Sequence, residues 1–97
     1  MPAYVIGNVT TLETSDELTE YRRRVGATVA RYGGRFLVRG GKVDVLEGGW
    51  LPVHLTLMEF PDGGAVRAWL GSPEYQEIAA LRTGSVRTEL VLLENGD

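Results

Sequence analysis

Apolar residues recur along the chain with two different periods, and these periods predict the order of its helices and strands. Residues 3–9 are rich in β-branched and aromatic side chains and too few for a stable helix, which predicts a first strand. Thr14 to Glu17 has the pattern of a capping box, so a helix should begin there. An apolar stripe at spacings of three and four follows, and Gly33 is expected to end the helix. The stripe consists of Leu18, Tyr21, Val25, Val29 and Tyr32.

The middle of the chain predicts three short extended runs. Residues 35–39 and 43–47 are separated by residues 40–42, Gly-Gly-Lys, which have the length and composition of a tight hairpin loop. Residues 53–60 form the strongest predicted strand, because apolar side chains fall on both of its alternating faces. One face carries His54, Thr56, Met58 and Phe60, and the other carries Val53, Leu55, Leu57 and Glu59. Such a strand needs cover on each side.

A kinked helical region and a last strand complete the pattern. Asp62 is expected to cap a short helix that runs to about Leu70, and Ser72 is expected to cap the next helix, with Pro73 at its first position. Residues 85–93 predict the last strand. The order β-α-β-β-α-β predicts the α+β class and a ferredoxin-like fold, with helices on one face of a four-stranded antiparallel sheet.

Length and composition restrict the classes of protein. The 97 residues predict one domain, residues 1–97, whose small core would gain from dimerisation. The absence of cysteine removes disulfides and thiolate metal sites. A net charge of -3 predicts no general attraction to nucleic acid. Since no segment approaches the ~20 apolar residues of a membrane span and the N-terminus lacks a leader pattern, we expect a cytoplasmic protein that does not bind membranes.

Residues 22–24 are three consecutive arginines on the first predicted helix. They follow Asp16, Glu17 and Glu20, an order that suits the helix macrodipole. The spacing predicts an ion pair between Glu20 and Arg24 and a solvated helix face.

The paired glycines do not indicate a nucleotide site. None of them forms a Gly-x-Gly-x-x-Gly turn from strand to helix or a phosphate loop that ends in Gly-Lys-Ser/Thr. The acidic residues also lack the spacing of calcium or zinc sites. We therefore predict no metal and no cofactor.

Five short motifs are similar to those of a known protein family. They are residues 32–41 (Tyr-Gly-Gly-Arg-Phe-Leu-Val-Arg-Gly-Gly), 46–50 (Leu-Glu-Gly-Gly-Trp), 59–61, 68–69 and 72–76. Together they resemble the domain of unknown function 1330 family, small proteins in the dimeric α/β-barrel group of ferredoxin-like folds. The resemblance implies a homodimer whose two sheets face one another, with a pocket between each sheet and the partner. It implies no established reaction.

Two positions depart from that family's pattern. His54 stands where the family usually has an arginine, and Gly49 replaces the aspartate of its Glu-Gly-Asp-Trp element. An anionic ligand would therefore meet a histidine at this position, and the charge of histidine depends on pH in a way that the charge of arginine does not.

Arg39 is the first candidate for ligand binding. If Phe36 and Val38 face the helices, Arg39 is expected to face the cavity. Its guanidinium can hold a ligand carboxylate through two hydrogen bonds, or it can pair with Glu47 or Glu89 and stabilise the hairpin and the dimer.

His54 is the second candidate and the only histidine. Alternation places it on one sheet face with Thr56 and Met58, and histidine is the side chain best suited to act as a base near neutral pH. Without a second histidine for a metal or a Gly-x-Ser-x-Gly elbow, proton transfer together with arginine and glutamate is the remaining catalytic option. The alternative is a strand residue that is hydrogen-bonded to a neighbouring strand or to the partner.

Three further residues are candidates for the same site. Tyr4 and Tyr75 can line a pocket or serve in the core, and Tyr75 follows a helix cap, from which its hydroxyl can reach the cavity rim. Glu47 precedes a glycine-rich loop and can bind a ligand or form a salt bridge.

These residues favour a small soluble homodimer that binds a small organic molecule, with an anion as one option. Cofactor-independent enzymatic activity is conceivable by analogy with the broad fold group, although a fold does not determine chemistry. The alternative is a non-enzymatic structural or regulatory homodimer. RNA binding is disfavoured, because the middle strands carry few aromatic residues and the chain is acidic.

Overall fold

Four strands and three helices make up the described part of the protein in this computed structural model. The structure describes residues 2–9, 16–52, 54–81 and 88–94. Its elements are β1 (Ala3–Val9), α1 (Asp16–Arg31), β2 (Arg35–Gly41), β3 (His54–Phe60), α2 (Gly63–Gly71), α3 (Pro73–Ala79) and β4 (Thr88–Glu94). The predicted α+β class and ferredoxin-like order are confirmed, and the predicted kink is the break between α2 and α3.

The sheet is antiparallel and has the strand order β2-β3-β1-β4. Val9 pairs with His54 on one side and with Thr88 on the other. The end of β1 and the starts of β3 and β4 therefore lie side by side at one end of the sheet. At the opposite end, Ala3 pairs with Phe60 and Glu94.

Helix α1 packs on the sheet through the predicted apolar stripe. Leu18, Val25 and Val29 are buried, and Gly33 follows the helix with a φ of 81°. The backbone N–H of Gly33 donates to a carbonyl of the last turn, which ends the helix as predicted. Thr14 of the predicted capping box lies outside the described residues.

The predicted Glu20–Arg24 ion pair is wrong. Glu20 pairs instead with Arg23, one residue earlier, and Arg24 reaches Glu77 of α3 at 3.4 Å. On a helix surface, residues three apart are neighbours just as residues four apart are. Either Arg23 or Arg24 can therefore reach the Glu20 carboxylate. Because Glu20 pairs with Arg23, Arg24 can pair with Glu77 and link α1 to α3.

The caps of α2 and α3 are those expected from the sequence. Asp62 accepts a hydrogen bond from the N–H of Ala65 at 2.8 Å, and Ser72 accepts one from the N–H of Tyr75 at 3.1 Å. Pro73 occupies the first turn of α3, where a missing N–H costs nothing. The first residues of the predicted last strand, 85–87, lie outside the described residues.

The packed core occupies the Ala3–Phe60 end of the sheet, under α2 and α3. The ring of Trp69 lies 5.3 Å from the ring of Phe60 and 4.4 Å from the ring of Tyr75, measured between centroids. The largest fully buried side chains are Trp69, Phe60, Ile78, Val5, Val29 and Val66. Aromatic contacts at this end add to the stability that burial of the apolar side chains provides.

The predicted hairpin between residues 35–39 and 43–47 is wrong. Strand β2 pairs with β3, and residues 42–52 form an irregular segment without a helix or strand. The pairing register of β2 shifts between Phe36 and Val38, as at a β-bulge. Phe36 therefore lies opposite Met58 on the helix side, whereas Val38 lies opposite Leu57 on the other side.

The sheet face without helices, here called the outer face, is apolar as predicted. Val38, Val91 and Leu93 on this face are 45%, 56% and 55% exposed. Both faces of β3 thus carry apolar residues, and α1, α2 and α3 cover only one of them. No helix in the described part of the chain has the length and apolar character needed to cross a membrane.

Candidate functional site

A cavity of about 350 Å³ lies between α1 and the Val9 end of the sheet. Its lining residues come from α1 and all four strands: Gly7, Val9, Leu18, Tyr21, Arg22, Val25, Phe36, Arg39, Gly40, His54, Thr56, Met58, Thr88 and Leu90. The volume is in the range of small-molecule sites, roughly 300–1,000 Å³. This cavity is on the helix side of the sheet, whereas the pocket expected from the resemblance is on the side of the partner.

A buried glycine of the central sheet, Gly7, lines the cavity. Gly7 is buried in the middle of β1, between Thr56 of β3 and Leu90 of β4. A Cβ at this position would lie 3.2 Å from the Leu90 Cδ2 and 3.8 Å from the Thr56 Cβ. Leu90 therefore packs close over Gly7, and a larger side chain at this position would have to displace it.

Arg39 faces the helix side of β2 and lines the cavity. The bulge, rather than simple alternation, puts it there, because Phe36 and Val38 lie on opposite faces. Its guanidinium lies 4.5 Å from the centroid of the Phe36 ring and donates a hydrogen bond to the backbone carbonyl of Arg22. The Phe36 ring and α1 therefore fix the position of this cation.

Arg39 has no carboxylate partner among the described residues. Glu89, one partner considered for it, accepts a hydrogen bond from Asn8 at 3.2 Å instead. Most arginines in the described ranges pair with a carboxylate: Arg23, Arg24, Arg31, Arg35 and Arg67. The two that lack such a described partner, Arg22 and Arg39, both line the cavity.

The lining of the cavity is basic although the whole chain is acidic. Arg22, Arg39 and His54 line it, and its described lining contains no aspartate or glutamate. The net charge of the protein is -3. Both arginine side chains are exposed, so the described rim of the cavity carries a local positive charge.

His54 shares one sheet face with Thr56 and Met58, as predicted. Its ring contacts Gly40 near the end of β2. The His54 Nε2 lies 3.2 Å from the carbonyl oxygen of Gly40, and the N–H of Gly40 donates to the Thr56 hydroxyl at 3.2 Å. Gly40 has a φ of 71°, so its backbone departs from the extended conformation of a strand. The side chains of His54 and Thr56 therefore bond to its carbonyl and N–H in place of backbone groups of β3. A carbonyl can only accept, so Nε2 carries a proton and the lone pair of neutral His54 is on Nδ1.

Thr88 lines the cavity at the opposite sheet edge from Arg39. Its hydroxyl is buried and has no hydrogen-bond partner among the described residues. Sequence reasoning missed Thr88, although it alternates with Leu90 and Leu92 and so shares their sheet face.

Of the five candidate residues, the structure brings together Arg39 and His54. Tyr4 lies on the outer face, between Glu59 and Leu93 in the pairing register. Tyr75 is 2% exposed and packs against Trp69 in the core, away from the cavity rim. Glu47 is exposed in the irregular segment of residues 42–52.

The described residues offer no metal centre. No group of three or more histidine, aspartate or glutamate side chains in the described ranges could hold an ion. The polar chemistry of the site is that of cations and hydroxyls, which suits an organic anion.

A comparison with protein families tests the family resemblance that the motifs suggested. The model of the family described as "Domain of unknown function (DUF1330)" matches residues 2–96. The chain belongs to this family. The resemblance seen in the glycine, tryptophan and proline motifs is thereby confirmed.

Several solved structures share the fold of this DUF1330 protein. Protein RPA0582 of unknown function from Rhodopseudomonas palustris is 22% identical, with a TM-score of 0.74 over 99% of this chain and 83% of that chain. A dimeric ferredoxin-like protein of unknown function from Jannaschia sp. CCS1 is 19% identical, with a TM-score of 0.71 over 98% and 100%. SnoaB, a cofactor-independent oxygenase from Streptomyces nogalater, is 19% identical, with a TM-score of 0.68 over 99% and 94%. Comparison with curated proteins gives no significant match.

Proposed function

We propose that this DUF1330 protein binds a small organic anion in the cavity between α1 and the sheet, and that it works as a homodimer. The supporting observation is the position of Arg39. It is a cation without a described carboxylate partner, held over Phe36 in a cavity whose described lining is free of acidic side chains. A guanidinium in such a place can bind a carboxylate through two charge-assisted hydrogen bonds.

The homodimer is supported by the outer face. Val38, Val91 and Leu93 expose apolar surface on one side of a sheet whose other side is covered by helices. Contiguous exposed apolar surface of this kind is typical of an interaction site. The similar Jannaschia protein is described as dimeric, which is consistent with a second copy on this face.

Enzymatic activity is a second candidate, and His54 supports it. Its Nε2 proton is engaged by the Gly40 carbonyl, which leaves Nδ1 as a basic nitrogen in the wall of the cavity. The similar protein SnoaB is a cofactor-independent oxygenase, but at this level of identity the likeness shows the fold alone. Hydrogen–deuterium exchange on levulinate, followed by NMR, tests for proton transfer, and exchange that persists in His54→Asn would exclude His54.

Titration with octanoate by calorimetry tests the anion site. Wild type is expected to bind, and Arg39→Gln should weaken binding by about tenfold to a hundredfold, because a charge-assisted hydrogen bond contributes ~1.5–3 kcal/mol. Arg67→Gln is the matched control, since Arg67 lies on the surface and pairs with Glu94. No binding of octanoate, or equal binding by wild type and Arg39→Gln, would refute the proposal.

A further inference from the structure

Residues 45–51 form an exposed apolar segment between β2 and β3, here called the arm. Leu46, Trp50 and Leu51 are 92%, 61% and 77% exposed. Gly48 and Gly49 lie between them, and a Cβ at either position would have no atom within 4 Å outside its own chain neighbours. The arm therefore projects from the body of the molecule, and none of its residues lines the cavity.

The arm and the two edge strands hold the large apolar side chains that are exposed in the described ranges. Those of the arm are Val45, Leu46, Trp50 and Leu51, and those of β2 and β4 are Leu37, Val38, Val91 and Leu93. Both sets are exposed in the same chain, so the arm does not cover the outer face of its own sheet. Exposed apolar surfaces of this kind are typical of interaction sites.

The outer face alone is small for a dimer interface. Its four strands of seven residues span a flat area of roughly 400 Å². A specific interface buries about 800 Å² of accessible surface per partner. Covering the side chain of Trp50 adds on the order of 150 Å², and the two leucines of the arm add more. The arm thus supplies much of the missing area.

A second copy of the chain fits both apolar surfaces at once. In a two-fold symmetric dimer, a contact between the arm of one copy and the outer face of the other is made twice, so both surfaces of both copies are covered. A membrane would cover the arm and leave the outer face open. It would also bring the carboxylates of Asp44 and Glu47 towards anionic headgroups.

We infer that the arm packs against the outer face of a second copy of the chain, and that each subunit of the homodimer contributes its arm to the other. This inference rests on the proposed homodimer and adds the segment that completes its interface.

Acrylamide quenching of tryptophan fluorescence tests whether the arm is covered in the dimer. The chain has two tryptophans, and Trp69 is 1% exposed, so quenching reports mainly on Trp50. Trp50 should be shielded in dimeric wild type and quenched several times more strongly in Val91→Asp, which places a charge on the outer face. Equal quenching of dimeric and monomeric protein would overturn the inference.

Leu46→Ala should weaken the dimer by at least tenfold in sedimentation equilibrium, because it removes apolar surface from both copies of the contact. Since Leu46 is exposed in the single chain, the variant should fold as wild type does. Glu47→Ala is the matched control, because it truncates the neighbouring exposed side chain without removing a large apolar group. Equal dimer affinities of Leu46→Ala and Glu47→Ala would contradict the role of the arm.

Cysteine cross-linking tests where the arm lies, and the natural chain has no cysteine to interfere. Leu51→Cys protein, mixed with Val38→Cys or Val91→Cys protein, should give a heterodimer with a short bismaleimide for at least one of the two edges. Thr19→Cys, on the exposed side of α1, is the control and should give none. Cross-linking to neither edge above this control would overturn the inference.

The outcomes distinguish this inference from the homodimer on which it rests. If wild type is a dimer in which Trp50 remains open to acrylamide, the assignment of the arm is wrong and the homodimer stands. If wild type is a monomer at micromolar concentration, both proposals fail.

Discussion

The indole Nε1–H of Trp69 donates a hydrogen bond to the hydroxyl of Thr28 at 3.0 Å, and both residues are buried. The same hydroxyl donates to the carbonyl oxygen of Val25 at 2.7 Å. One threonine thus satisfies the only polar atom of the largest core side chain and joins α1 to α2. The contact lies inside otherwise apolar packing, where an unpaired N–H is costly.

Thr28→Val is therefore expected to destabilise the protein by about 1–3 kcal/mol, because it leaves the buried Trp69 N–H without an acceptor. Urea unfolding followed by tryptophan fluorescence measures the change. Thr19→Val, at an exposed position of the same helix, is the control and should change stability by less than about 0.5 kcal/mol. Equal stabilities of the two variants would contradict the assigned role of Thr28.

Gly26→Ala should stabilise the protein by about 0.5–1 kcal/mol. Gly26 is inside α1, where glycine is a poor helix former, and an added Cβ would lie 3.5 Å from Arg39 Nη1, an ordinary contact. Gly34→Ala is the contrasting variant, since its Cβ would lie 2.7 Å from the Phe60 ring and 2.8 Å from Val29 Cγ1. It should destabilise by about 1–3 kcal/mol, and the two denaturant midpoints must move in opposite directions.

Glu74 at the start of α3 links this helix to the end of α1. Its carboxylate accepts a hydrogen bond from the Tyr32 hydroxyl at 3.2 Å and lies 3.5 Å from Arg31 Nε. The pKa of Glu74 is lowered, mainly by the hydrogen bond from its own backbone N–H and further by Tyr32, Arg31 and Ser72. Desolvation opposes this shift.

The lowered pKa predicts how stability changes with acid. The folded pKa of Glu74 lies below its unfolded value, so its contribution is present above the unfolded pKa and is lost as pH falls through the folded pKa. Glu74→Gln should therefore lose less stability than wild type when the pH falls from about 5 to about 3. Tyr32→Phe, which removes one hydrogen bond to the carboxylate, should show an intermediate slope. Identical slopes for all three proteins would contradict the prediction.

The proposed dimer predicts that a charge on the outer face separates the subunits. Val91→Asp places a carboxylate on the exposed apolar surface, and burying it against a second copy would be costly. Sedimentation velocity should show a dimer for wild type and a monomer for Val91→Asp. Thr19→Asp on the exposed side of α1 is the control and should remain dimeric. A wild-type monomer at micromolar concentration would refute the dimer.

Helix positions and caps could be predicted from the sequence because each depends on neighbours within one or two turns. Val25 and Val29 repeat at helical spacing and are buried, and Asp62 and Ser72 bond to backbone N–H groups three residues ahead. These signals are local, and tertiary contacts reinforce rather than override them.

The bulge in β2 could not be predicted in the same way. Alternation placed Phe36 and Val38 on one face, but pairing with β3 shifts the register between them. Residues 43–47 contain β-forming side chains and still form no strand, although β2 is an edge strand of the described sheet. Pairing between distant segments decides both outcomes, and a single sequence carries little local signal for it.

Only part of the candidate site could be predicted from the sequence. Arg39 and His54 stood out by their chemistry, and both line the cavity. Gly7 and Thr88 did not, because a glycine in the cavity lining and a hydroxyl without a described hydrogen-bond partner acquire meaning only once β1 and β4 are side by side. Tyr75 looked available for the site and is instead a core residue beside Trp69.

The packed aromatic cluster and the cavity occupy opposite ends of the same four strands. Phe60, Trp69 and Tyr75 hold one end, while Gly7, His54 and Thr88 line the other. The residues that stabilise the fold and the residues of the proposed binding site are thus largely separate. A descendant of this chain can exchange side chains at the cavity end while it inherits its resistance to unfolding nearly unchanged.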